Sequence, residues 1–143
     1  MNYEEAKKML GTDGITCIVL KDGADPLISR IRGVRPVIQW IEEGADLKGA
    51  AVFDTIVGRA AAMMYALAGA GFVYGRVMSL GGAAELEKAG IKYEYGEQVD
   101  VITNRQGTGM CPMEQTVLGI TDPAEAMAAL KAKIAQMQAA MKK

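Results

Sequence analysis

The chain has 143 residues, half of them hydrophobic, with 16 basic and 17 acidic side chains for a formal charge of -1. That size suits one domain with a core of its own, and the even charge balance gives no electrostatic footprint for nucleic acid. It contains no histidine, which removes imidazole as a general base, as a member of a nucleophilic triad and as a zinc ligand.

Cys17 and Cys111 are the only cysteines, too few for a disulfide framework, and they point to free thiols in a reducing cytoplasm. The N-terminus, Met1-Asn2-Tyr3-Glu4-Glu5-Ala6-Lys7-Lys8, is polar and has no signal-peptide core. Ala60 to Ala70, the longest apolar stretch, falls short of a membrane span. One domain over residues 1–143 is the expected organisation.

In chain order, residues 2–10 read as a short amphipathic helix ended by glycine. A β-rich run at 15–20 follows, and Lys21-Asp22-Gly23 supplies a hairpin turn into a second strand at 27–30. A helix is expected at 35–43, a short strand at 50–53 and an apolar, largely buried helix at 55–68. A strand at 72–78 leads to a short helix capped by Ser79 and closed by Gly90. Alternation of Ile91, Tyr93 and Tyr95 with Lys92 and Glu94 marks a strand with one wet face, and another strand at 99–103 is open. A helix at 112–119 begins at Pro112, and an amphipathic helix covers about 122–141.

The β-α-β-α-β order after the hairpin favours right-handed crossovers and a mixed sheet of about five strands in an α/β protein, with helices on both faces. In the last helix Met127, Leu130, Ile134, Met137 and Met141 form an a/d-like stripe. Packing onto its own domain is the first reading; a homodimer seam or a partner groove are the others. Lys142 and Lys143 complement the negative end of that helix.

Three segments could carry chemistry. Asp54, read at the end of a buried strand, is placed to cap the next helix and to pair with Arg59, the lone charge in that helix. A phosphate or carboxylate ligand could equally meet Arg59, Gly58 and the helix amides, at the carboxyl ends of the strands. The cluster Arg30, Arg32 and Arg35 around Gly33 could add an anion subsite, although solvated surface explains it as well.

The third segment is the polar loop Thr103 to Met110 running into Cys111-Pro112-Met113-Glu114. There Asn104 and Arg105 could fix a polar ligand, and Cys111 at a helix N-cap could act as a nucleophile with Glu114 nearby. No histidine would activate that thiol, and Cys-Pro-x-Glu is not a redox pair. Cys17 reads as buried core. No metal site is expected, since the thiols are too few for a soft site and the carboxylates lack calcium-loop spacing. No cofactor, nucleic acid or membrane is called for. Gly69-Ala70-Gly71 and Gly81-Gly82 complete no phosphate-binding fingerprint.

Phe53-Asp54-Thr55-Ile56-Val57-Gly58-Arg59-Ala60-Ala61-Ala62, Ile91-Lys92-Tyr93-Glu94-Tyr95, Asn104-Arg105 and Cys111-Pro112-Met113-Glu114 together resemble the DUF1893 family over roughly residues 5–120. The resemblance implies a three-layer α/β/α domain with a cytidine-deaminase-like fold. Zinc deaminases carry His-x-Glu or Cys-x-Glu at one helix start and Pro-Cys-x-x-Cys at the next. The corresponding starts here resemble Gly33-Val34-Arg35 and Val57-Gly58-Arg59-Ala60, which contain no zinc ligand. The resemblance thus implies architecture and a pocket location without zinc-dependent deamination. Three functional readings stand: a pocket for a small anionic or nucleotide-like ligand, an interaction module built on the Met-rich helix, and a metal-independent enzyme using Cys111. Whether the chain is an enzyme is left open by its residues.

Overall fold

The computed structural model describes residues 1–141. Helix α1 (Tyr3–Met9) opens with a reciprocal cap, in which Asn2 Oδ1 accepts from the Glu5 amide at 2.8 Å and the Asn2 amide donates to Glu5 Oε1 at 3.3 Å. Strands β1 (Cys17–Leu20) and β2 (Leu27–Ser29) form the expected antiparallel hairpin. Helix α2 (Arg35–Glu42) accommodates Pro36 in its first turn. Then come β3 (Ala51–Val57), α3 (Arg59–Ala68), β4 (Phe72–Ser79), α4 (Leu80–Lys88) and β5 (Lys92–Val99). Two helices, α5 (Pro112–Val117) and α6 (Pro123–Met141), complete the chain.

The five strands lie in the order β2-β1-β3-β4-β5, with β1 antiparallel to both neighbours and β3, β4 and β5 parallel. The sheet is therefore mixed and flanked by helices, an α/β/α arrangement. Both crossovers step the same way across the sheet, and right-handed connections then put α3 and α4 on one face. Both faces carry helix, but unequally. Met63, Met64, Val73, Met78, Leu86, Val117 and Leu130 belong to the core of the α3–α4 face, to which α2, α5 and α6 also contribute. The opposite face packs Ala6 of α1 and Leu10, just after that helix, over Ile18, Ala51 and Phe53. Tyr3 closes this thin side, 5.1 Å from the rings of both Phe53 and Phe72.

Two boundaries move relative to the sequence reading. β3 runs four residues beyond the expected end at 53, and α3 starts at Arg59 rather than at 55. Thr55-Ile56-Val57 is β-branched throughout, which favours strand over helix. β5 likewise extends to Val99, and the stretch open as a strand at 99–103 contributes only a bridge between Thr103 and Met110.

The α6 stripe divides. Leu130 is fully buried and Met127 and Ile134 pack on the same core, whereas Met137 and Met141 are 40% and 84% exposed. The domain itself takes the first three positions of the expected seam, leaving two methionines at the end of the helix. Lys142 and Lys143 lie outside the described residues. Among the described residues no helix is long and apolar enough to cross a membrane.

Candidate functional site

Asp54 is not a helix cap. The longer β3 puts it in mid-strand, in register with Cys17 on β1 and Gly75 on β4. Its buried side chain meets α3 from below: Tyr65 donates its hydroxyl to Asp54 Oδ2 at 2.5 Å, and the Ile56 amide donates to Oδ1 at 3.4 Å. Cys17 Sγ lies 3.6 Å from the same hydroxyl. Among the described residues no cation joins this group, and the expected pair with Arg59 does not form. Burial pushes the Asp54 carboxyl up to about 7, against the partial relief of its hydrogen bonds. Burial and the nearby carboxylate push the Cys17 thiol and the Tyr65 phenol well above their ordinary values.

Helix α3 is capped from 55 residues away. Gly58 precedes it and offers no side-chain acceptor, so the first amides need a partner from elsewhere. Glu114 of α5 supplies it: the amides of Arg59 and Ala60 donate to its two carboxylate oxygens at 2.7 and 2.8 Å. The carboxylate fits only because residue 58 is glycine, where an added Cβ would stand 2.1 Å from Glu114 Oε1. The anion position expected for a ligand at these amides is thus filled by the protein's own side chain. Glu114 is accordingly not free as a proton partner for Cys111. The thiol of Cys111 stands at the start of α5 and makes no capping hydrogen bond. Its amide instead donates to the Ile102 carbonyl at 2.9 Å.

Beside this cap lies a cleft of about 150 Å³, lined by Arg59, Ser79, Gly81, Asp100, Val101, Ile102, Met110, Glu114 and Leu118. These residues stand at the carboxyl ends of the three parallel strands, where open α/β sheets bind ligands. The Arg59 side chain is 34% exposed, its Nε is 3.8 Å from Glu85 Oε1, and its guanidinium makes no hydrogen bond among the described residues. Ser79 caps α4 by accepting from the Gly82 amide at 2.9 Å, and Gly81 leaves the first turn of α4 open beneath the guanidinium.

The remaining sequence candidates fall elsewhere. Asn104 organises its own loop, accepting from the Thr108 amide at 3.0 Å, and so serves the turn rather than the cleft. Arg105 is exposed at the loop tip. Arg35 lines a separate groove of about 220 Å³ between α2 and α6. Arg30 is held by Asp13, with Nε donating to its carbonyl at 3.0 Å. Sequence reasoning missed Tyr65 and the apolar wall of Val101, Ile102, Met110 and Leu118. A helix opening on Gly-Arg-Ala with no acceptor of its own was the one signal that a distant carboxylate had to cap it.

Among the described residues no group of three or more His, Cys, Asp and Glu side chains could hold a metal ion. No curated protein matches the chain. A solved structure of a DUF1893 family protein from Thermotoga maritima is similar at 25% identity and a TM-score of 0.81, over 91% of this chain and 88% of that one. Acinetobacter baumannii RibD is similar at 20% identity and a TM-score of 0.44, over 57% of this chain and 28% of that one, and nothing about this chain follows from it. The family described as a domain of unknown function, DUF1893, matches residues 5–134, and the chain belongs to that family.

Proposed function

We propose that the protein binds a small carboxylate- or phosphate-bearing molecule in the cleft at the carboxyl ends of β3, β4 and β5. The observation that carries this reading is Arg59, whose half-buried guanidinium lines the cleft with only the Glu85 carboxylate, 3.8 Å from its Nε, as a counter-charge and with no hydrogen bond among the described residues. Holding such a group against apolar walls costs desolvation that a bidentate anion would offset. The first turn of α4 adds amides and positive dipole on the same side. Val101, Ile102, Met110 and Leu118 would face the ligand's apolar part.

Size narrows the ligand class. A cavity of about 150 Å³ accommodates a body roughly as large as benzene, and typical drug-sized sites begin near 300 Å³. A nucleotide-like ligand would therefore place only a fragment inside and leave the rest in solvent. Asp100 and Glu114 on the rim disfavour a multiply charged anion and favour one negative group. Amide NMR titration with a panel of small carboxylates and phosphate monoesters tests the reading. Saturable shifts confined to Arg59, Ser79, Gly81 and residues 100–102 are expected; shifts elsewhere, or none, would remove the proposal.

A further inference from the structure

The cleft beside α3 holds more negative charge than positive. Arg59 is the one cation in its lining, against Asp100 and Glu114, and Glu85 already stands 3.8 Å from the Arg59 Nε. A simple anion would enter a site with carboxylates in surplus, which the positive ends of α3 and α4 offset only in part. Asp100 is exposed at the bend just after β5 and pairs with no cation among the described residues. Glu114 uses one acceptor position of each oxygen on the amides of Arg59 and Ala60, and each oxygen keeps a second. Both lining carboxylates can therefore accept from a ligand's donor.

We infer that the ligand of this cleft is a zwitterion, a small free amino acid with an apolar side chain; this rests on the anion site at Arg59 proposed above. Its carboxylate meets the guanidinium beside the first turn of α4. Its ammonium donates to Asp100 and Glu114. Its side chain lies against Val101, Ile102, Met110 and Leu118, of which Val101 and Leu118 are 48% and 55% exposed and have apolar surface left to cover. Each charged end then meets opposite charge, and a ligand of zero net charge adds nothing to the carboxylate surplus. An acid without the ammonium would leave both lining carboxylates facing its negative group. An amine without the carboxylate would leave Arg59 as it stands. The volume of about 150 Å³ suits a body on the scale of benzene, which is the scale of valine.

Calorimetry with three related compounds separates the two ends: valine, isovalerate, which lacks the ammonium, and isobutylamine, which lacks the carboxylate. Valine binds about tenfold tighter than either, the scale of one charge-assisted hydrogen bond. Asp100→Asn, at an exposed bend where the fold tolerates the change, narrows the advantage of valine over isovalerate about threefold. Circular dichroism reports whether the variant is folded. Isovalerate matching valine, or binding where valine does not, would overturn the zwitterion and leave the anion cleft standing. Isobutylamine matching valine, or an advantage indifferent to Asp100→Asn, would overturn it as well. If neither valine nor any small acid binds, the anion site falls with it.

Discussion

Two buried carboxylates face the same helix, and the chain treats them in opposite ways. Glu114 accepts two backbone amides at the positive end of α3, where the helix itself favours negative charge. Asp54 lies within the sheet, meets a phenol and one long amide contact, and is pushed up to about 7 by burial. Among the described residues neither has a cationic partner. What a buried acid does here is decided by how many donors converge on it, which sequence position alone does not reveal.

The contrast is broken most strongly at Asp54. Its folded value lies above its ordinary 3.8, so the folded state holds the proton longer than the unfolded chain does. The sign follows directly: stability from this group is full below about pH 4 and is lost as pH rises through about 7, by on the order of 4 kcal/mol. Asp54→Asn cannot titrate, so its unfolding free energy from urea melts should stay flat across that window and exceed the wild type at pH 8. A parallel pH dependence in both proteins would mean that Asp54 is not the group responsible.

Glu114→Ala should cost about 3 kcal/mol in the same melts, because it leaves two buried amides without an acceptor. Glu114→Gln should recover part of that loss, since its amide oxygen can still take one amide. Gly58→Ala should cost about 2 kcal/mol through displacement of the Glu114 carboxylate rather than through backbone strain, since φ at this residue is -100°. Combined with Glu114→Ala, the Gly58→Ala penalty should largely vanish, and full additivity would show that the two positions do not act on one another. Tyr65→Phe is the smallest change, about 1 kcal/mol, and moves the midpoint of the Asp54 pH dependence higher by removing a donor to its charged form. A midpoint that stays fixed would separate the phenol from the carboxyl.

Local signals carried most of the fold. Asp22-Gly23 marked the hairpin, Ser79 marked the start of α4, and the β-α-β-α-β order pointed to the mixed five-stranded sheet. The error at Asp54 came from weighing one strong capping residue above the three β-branched residues that follow it. Glu114 was legible as a helix-start carboxylate but not as the cap of a different helix, because only the tertiary fold brings α5 onto Gly58. Tyr65 escaped for a related reason. In an apolar helix its ring reads as core, and the carboxyl under its hydroxyl comes from a strand whose extent was misjudged. Arg59 stood out in sequence as the lone charge in an apolar helix, and in the structure its guanidinium has Glu85 at 3.8 Å but no hydrogen bond among the described residues. That anomaly supports the cleft.

Calorimetry with the tightest-binding small acid from the titration panel, on the wild type and on Arg59→Gln and Arg59→Lys, tests that central claim most directly. The account predicts at least about a tenfold loss of affinity for Arg59→Gln and an intermediate loss for Arg59→Lys, whose point charge lacks the bidentate fork. Equal affinity in all three proteins would contradict it.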